Sequence, residues 1–215
     1  MSKNTEIYEL VIDRLVSAQY GFGERLLVKE LAAETGASRQ PIMSAINRLS
    51  AEGFVRIIPQ VGCEVISPGP EEIADFFLLF QRIEGLLAEL AARRRIESDL
   101  LELSIAQQRL IAHIASSAPS PPIYLQLNQA FHRTVYEIAR SPLLGRKQRN
   151  NFNMSDFFIT HSVGFGALMP NAPGEHDQII DAIRARDGDG ARQEAEAHIG
   201  AVAEAVLSSL SARRT

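Results

Sequence analysis

The side chains of this chain that are best suited to chemistry are five histidines and a single cysteine, Cys63. Asn128 and His132 are four residues apart, so on a helix they would share one face. Imidazole nitrogen suits zinc, nickel or iron, and such a site keeps open positions for water or a ligand oxygen. The lone cysteine excludes an internal disulfide framework and a cysteine-rich zinc module.

A second set of polar side chains lies on a helix predicted over residues 39–52. Ser38 is its expected N-cap, and Pro41 stands in its first turn, where a missing N–H costs nothing. The buried stripe of this helix is formed by Ile42, Ile46 and Leu49. The opposite, free face carries Arg39, Gln40, Met43, Ser44 and Asn47.

The elements around this helix predict a winged helix-turn-helix in the first part of the chain. Helices are expected over about 5–18, with Thr5 as N-cap, and over 28–35, ending at Gly36. Two β-like stretches, 54–58 and 63–66, form a two-stranded wing.

The rest of the chain predicts an all-α helical bundle, so the fold class is mainly α. The expected domains are 1–66, a linker at 67–72 with the breaker cluster Ser67-Pro-Gly-Pro70, and a bundle over 73–215. Residues 164–166 are expected to be a flexible loop. The bundle's helices are expected at about 71–95, 98–117, 123–140, 142–162, 174–186 and 189–212.

Composition predicts a cytoplasmic protein. No apolar run approaches the roughly 18 residues that cross a bilayer, and the N-terminus lacks the apolar core of a signal peptide. The net charge is −4, so nucleic acid would have to be bound by a local patch rather than by bulk charge. The sequence suggests such a patch in Arg39, Arg48 and Arg56, opposed only by Glu52.

The N-terminal pattern resembles the winged helix of the GntR family of bacterial transcription regulators. The residues that carry the resemblance are Gly23-Glu-Arg-Leu26, Leu31-Ala32, Gly36-Ala-Ser-Arg-Gln-Pro-Ile42, Ala45-Ile-Asn-Arg-Leu49, Glu52-Gly53 and Pro59 with Gly62. It implies that the helix over 39–52 enters the major groove of double-stranded DNA. Arg39 is then placed for a bidentate contact to guanine, and Ser38 and Ser44 could bond phosphates. The DNA-contacting set is Lys29, Ser38, Arg39, Gln40, Ser44, Asn47 and Gly62.

Two residues depart from the family pattern. Met43 stands where the family usually has an arginine, and Val61 stands where a basic residue often precedes the wing glycine. Met43 could contact a thymine methyl but cannot grip a guanine. The family's operator sequences therefore do not transfer to this chain.

The C-terminal part resembles the FCD ligand-binding domain of the FadR-type branch of that family. The residues that carry this resemblance are Glu84-Gly-Leu-Leu-Ala-Glu-Leu-Ala-Ala92, Asn128 with Phe131-His132, Glu175-His176 with Ile179, Ala182-Ile183, and His198. The resemblance implies a divalent metal ion, zinc or nickel, bound by Asn128, His132, His176 and His198. Asn128 replaces the family's aspartate and brings no charge, which favours an anionic effector such as a carboxylate.

Together these resemblances predict a transcription regulator, not an enzyme. It would bind a palindromic operator as a homodimer, and an organic acid in the bundle would control its affinity for DNA. One alternative is a metal-dependent enzyme, although no carboxylate is placed as a general base: Glu175 adjoins His176, and neighbours on a helix diverge. Another is a regulator with a metal-free or vestigial pocket.

Overall fold

The structure, a computed structural model, describes residues 2–212. The chain divides into an N-terminal unit that ends at Gly69 and a C-terminal unit that begins at Pro70. Helices dominate both units, and the strands lie in the first. The predicted mainly α fold class is confirmed.

The N-terminal unit consists of three helices and a small antiparallel sheet. Apolar residues at helical spacing bury one face of each helix, with Ile42, Ile46 and Leu49 on the third fully buried. Gly36 ends the second helix in the left-handed conformation, at φ 62°, as its predicted role as C-cap requires. The elements are α1 (Lys3–Val16), β1 (Arg25–Leu26), α2 (Val28–Thr35), α3 (Arg39–Ala51), β2 (Val55–Ile58) and β3 (Gly62–Val65).

Two details of this unit differ from the sequence-based expectation. Helix α1 begins at Lys3, so Thr5 lies inside its first turn and is not the N-cap. The sheet has three strands in the order β1-β3-β2, because Arg25 and Leu26 pair with Glu64 and Cys63. A two-residue strand is too short to display an alternating pattern, which is why the sequence suggested only two strands.

The C-terminal unit is a helical bundle built around a long antiparallel contact between its first and last helices. The predicted loop at 164–166 is wrong in part, because a short helix begins at Phe165. The elements are α4 (Pro70–Arg94), α5 (Asp99–Ile114), α6 (Pro121–Ile138), α7 (Pro142–His161), α8 (Phe165–Leu168), α9 (Ala172–Arg184) and α10 (Gly188–Ala212).

The helix α4 packs against α10 so closely that Gly85 has no room for a side chain. A Cβ atom at Gly85 would lie 2.6 Å from Cγ of Glu196. Helix α4 also contacts α6, α7 and α9, so it forms the centre of the bundle. This position lets α4, α6, α9 and α10 project side chains into one interior.

Three consecutive arginines, at positions 93–95, stand at the end of α4, and two of them link it by hydrogen bonds to the ends of α6 and α9. Arg94 donates a hydrogen bond to the carbonyl of Ala139, and Arg95 donates to the carbonyls of Ile183 and Arg184. These carbonyls lie at the ends of α6 and α9, where backbone acceptors lack partners within their own helix.

Within residues 2–212, no helix is long and apolar enough to cross a membrane.

Candidate functional site

Three histidines from three helices converge inside the C-terminal unit. His132 lies on α6, His176 on α9 and His198 on α10, and all three are buried. Their ring centroids are 4.9–5.4 Å apart, and one nitrogen of each ring lies within 4.8 Å of the others. One ion could therefore contact all three rings.

The hydrogen bonds around Gln107 fix the proton of His176. The Gln107 amide donates to the carbonyl of Pro173 at 2.9 Å and to Oδ1 of Asp177 at 3.0 Å. Its oxygen lies 3.2 Å from Nδ1 of His176 and accepts from that nitrogen. The Nε2 lone pair of His176 is consequently free to bind a metal.

Glu84 on α4 holds His132 in the same way. Its Oε2 atom lies 2.9 Å from Nδ1 of His132, and its Oε1 atom accepts from Gln148 at 2.8 Å and from the Tyr136 hydroxyl. A carboxylate that accepts from every neighbour keeps the proton on Nδ1 and leaves Nε2 of His132 as the free lone pair.

Glu175 holds the third ring. Its Oε2 atom lies 2.6 Å from Nδ1 of His198, one helix away. Sequence spacing considered Glu175 only beside its neighbour His176, from which it diverges on the helix, and did not pair it with His198. The contact with His198 depends on how α9 packs against α10, which sequence spacing does not reveal.

The unpartnered polar atoms of the site fit a metal ion. Among the described residues, Asn128 Oδ1, His132 Nε2 and His176 Nε2 are buried without a hydrogen-bond partner. Buried polar atoms are normally paired, so unpaired ones call for a ligand. Burial lowers the pKa of His132 and His176, which keeps both rings neutral as metal ligands must be.

The two carboxyl groups behind the rings also change the charge of the site. Asn128 contributes no charge, but Glu84 and Glu175 each accept a hydrogen bond from a histidine. Two carboxylates would balance a divalent ion from the outer shell, as partners of metal-bound histidines commonly do. The sequence did not predict this balance.

A cavity of about 180 Å³ adjoins the histidine cluster. Asn128 and His198 form part of its wall, so a metal held there would face the cavity. Apolar residues make up most of the remaining wall. Among the described residues that line it, there is neither a lysine nor an arginine. The polar and aromatic part of its lining is Tyr124, Ser155, Asp156, Asn171, Glu175, Phe80, Phe152 and Phe165.

The predicted DNA-contacting residues all lie exposed on the N-terminal unit. Arg39 is the first residue of α3, Lys29 is the second of α2, and Gly62 begins β3 at the tip of the hairpin. Gly62 has φ 142°, which favours glycine. Ser38, Gln40, Ser44 and Asn47 are exposed as well.

Two of the three arginines in the expected basic patch form ion pairs. Arg48 pairs with Glu52 at 2.9 Å and lies over the Tyr8 ring, and Arg56 pairs with Glu64. Among the described residues, no carboxylate lies within ion-pair distance of Arg39 or Lys29. Exposed cations without an ion pair therefore stand in the first turns of α2 and α3.

The remaining candidate residues have structural surroundings. His113 accepts from the backbone N–H of Ser120, and His161 packs on Phe157. Burial, with a smaller effect of Glu64, raises the pKa of the Cys63 thiol to about 11. These residues take no part in the histidine cluster.

Comparison with known families finds matches over both units. The FCD domain family matches residues 75–201, and the family described as bacterial regulatory proteins, gntR family, matches residues 3–65. The gntR match lies within the N-terminal unit, and the FCD match lies within the C-terminal unit.

Individual relatives and solved structures agree with these matches. The chain is 26% identical over 205 residues to the HTH-type transcriptional repressor RspR of Escherichia coli, covering 94% of this chain and 88% of that protein. It is 27% identical over 197 residues to a putative L-lactate dehydrogenase operon regulatory protein of Escherichia coli, covering 81% and 74%. The structure of Escherichia coli McbR/YncC superposes with a TM-score of 0.77 over the whole of both chains at 18% identity, which shows a shared fold.

Proposed function

This chain belongs to the GntR family of bacterial transcription regulators and carries an FCD effector domain, and from that premise we propose that a small organic acid bound beside a metal ion sets its affinity for DNA. The metal would be zinc or nickel, held by Asn128, His132, His176 and His198. When bound, the ion supplies a Lewis-acidic position for a carboxylate oxygen.

The observation that best supports a bound metal ion is the common orientation of the three histidine rings. Each Nδ1 atom is hydrogen-bonded to an outer partner, Gln107, Glu84 or Glu175. Each Nε2 atom is thereby left as the lone pair that a metal requires. A vestigial pocket would have no need for three separate partners that orient three rings.

Metal analysis of the purified full-length protein tests this part of the proposal. We expect about one zinc or nickel ion per chain, and loss of most of it in His132→Ala, His176→Ala and His198→Ala. His161→Ala is the matched control, since this ring is outside the cluster, and it should retain the metal. A wild-type protein without metal, whose content does not rise on incubation with zinc or nickel, would contradict the proposal.

The DNA-binding part of the proposal rests on the free cations and polar residues at the starts of α2 and α3. Lys29, Ser38, Arg39, Gln40, Ser44, Asn47 and Gly62 would form the contact surface. Fluorescence anisotropy against DNA from upstream of its own gene should show specific, salt-sensitive binding. Binding no tighter than to a scrambled duplex of the same length would contradict it.

The regulator should act as a homodimer on a palindromic operator. One recognition helix makes few base contacts, and two-fold symmetric operators match two copies of a protein. Sedimentation should give about twice the chain mass of 23.7 kDa. A monomer that also stays monomeric on a palindromic duplex would rule this out.

A further inference from the structure

Asp156 is a buried acid that the proposed metal site does not use. It lies on α7, is fully buried and lines the cavity beside the histidine cluster. Its Oδ2 atom accepts a hydrogen bond from the Gln129 amide at 2.6 Å. Its Oδ1 atom has no hydrogen-bond partner among the described residues. A buried carboxyl oxygen without a donor is costly, so this atom is a position that a ligand could satisfy.

The surroundings of Asp156 are acidic. Burial, then the charges of Asp156 and Glu175, raises the pKa of Tyr124. Both carboxyl groups line the same cavity wall as Tyr124. Glu175 is paired with His198, but the described wall carries no lysine or arginine that could pair with Asp156. This part of the cavity disfavours a ligand that is anionic along its whole length.

Two parts of the cavity wall thus call for different chemical groups. Asn128 and His198 would present a metal ion, which takes a carboxylate. In its ionised form Asp156 presents an unpaired acceptor in a place sheltered from water, where a positive charge with N–H donors gains most and favours that form. A hydroxyl could donate to the same oxygen but would leave an ionised Asp156 without a compensating positive charge.

We propose that the effector is a short amino acid-like zwitterion whose protonated amine donates to Oδ1 of Asp156, while its carboxylate faces the histidine cluster. This inference rests on the proposed function, since it assumes that the cavity is the effector site. The cavity volume of about 180 Å³ limits the ligand to a small molecule.

A matched series of ligands tests the amine. Calorimetry on the zinc-saturated full-length protein would compare 4-aminobutyrate with 4-hydroxybutyrate and butyrate, and then the homologues one carbon shorter and longer. The ω-amino acids are chosen because α-amino acids chelate zinc in solution. In at least one length, the amino acid should bind at least about tenfold tighter than both partners, as a charge-assisted hydrogen bond provides.

The variant Asp156→Asn should remove this advantage. Its amide still accepts from Gln129 but turns an N–H donor towards the ligand, so the amino acid should bind no tighter than butyrate. Asp181→Asn is the control: it removes a carboxylate that is exposed on α9, and the preference should persist. The melting temperature and the butyrate affinity show whether each variant is folded, and if Asp156→Asn does not fold, the wild-type series still decides.

Each failure has a distinct meaning. Any of three results would overturn the inference. The amino and hydroxy acids could bind with equal affinity, none of the compounds could bind, or the amine preference could survive in Asp156→Asn. If the plain acids bind only in the presence of zinc and the amine adds nothing, the inference is wrong while the proposed metal-dependent effector site stands.

Discussion

Arg39 begins the helix α3 with its guanidinium exposed and without an ion pair among the described residues. A bidentate contact from this position to guanine would be lost in Arg39→Ala, at a cost of roughly 1–3 kcal/mol in binding. The variant should also tolerate more bases at one position of each half-site. Anisotropy titrations against single-base operator variants at fixed salt measure both effects.

Lys29 provides the comparison for Arg39. Its side chain is exposed at the start of α2, where a phosphate contact carries no sequence information. Lys29→Ala should weaken binding to all sequences evenly and make the salt dependence shallower. Unchanged operator affinity in Arg39→Ala would show that the first turn of α3 does not enter the groove.

In the proposed metal site, Asn128 would set the charge of the inner shell. Asn128→Asp would add a negative charge next to the ion, so metal affinity should rise and attraction for an anionic ligand should fall. Competition with a fluorescent zinc chelator measures the first effect, and calorimetry with butyrate measures the second. Glu204→Gln, on the exposed side of α10, should change neither. An unaltered zinc affinity in Asn128→Asp would place Asn128 outside the coordination shell.

Asp156 should make the stability of the ligand-free protein depend on pH. Burial raises its pKa well above the usual range of a carboxyl, so the folded state prefers the protonated form. The stability that this form contributes is complete below about pH 4, the value of an unfolded aspartate, and is lost as the pH rises through the raised pKa. Urea unfolding between pH 5 and 8 should show this loss in the wild type and a smaller one in Asp156→Asn. Parallel profiles for the two proteins would contradict the expectation.

Sequence reasoning found the histidines but not the residues that orient them. The helical spacing of Asn128 and His132 is visible in the sequence, and the family resemblance supplied His176 and His198. Glu175 reaches a histidine on another helix, and Asp156 becomes notable only because one of its oxygens lacks a donor. Both properties arise from packing between helices distant in sequence, which periodicity does not encode.

At the scale of elements, the helices were predictable because each buries a regular apolar stripe. The helices α3 and α7 begin and end within a residue of their predicted bounds, since Ser38, Pro41 and Pro142 mark their starts. The helix α8 and the strand β1 were missed, because four and two residues are too few to establish a period. Short elements depend on partners that only the fold provides.

The contact between α4 and α10 can be tested with two glycines. Alanine raises helix propensity over glycine by about 1 kcal/mol at either position. At Gly85 the new Cβ would lie 2.6 Å from Glu196, whereas at Gly200 it would meet Gln81 at an ordinary 3.4 Å. Gly85→Ala should therefore be less stable than Gly200→Ala by about 1–3 kcal/mol, the usual cost of overpacking. Urea unfolding measures the difference, and equal stabilities would mean that α10 yields at this contact.

At the scale of the whole molecule, metal binding should stabilise the fold. The ligands come from α6, α9 and α10, so the unfolded chain lacks the site, and an ion that binds the folded state alone stabilises it by mass action. A chelator should lower the melting temperature, and added zinc or nickel should restore it. His198→Ala should lose this response, while its affinity for operator DNA without effector should change little. A wild-type melting curve that neither chelator nor metal moves would argue against a metal in the bundle.

The buried thiol of Cys63 makes the protein convenient for site-specific labelling. With its pKa raised to about 11, this thiol should react with maleimides on the order of a hundredfold more slowly than an exposed cysteine. A new cysteine at the exposed Val61, at the tip of the β2–β3 hairpin, would then carry a spin label without removal of the native one. In the proposed homodimer, distances between labels on the two copies would test whether the hairpin tips move when a ligand enters the bundle.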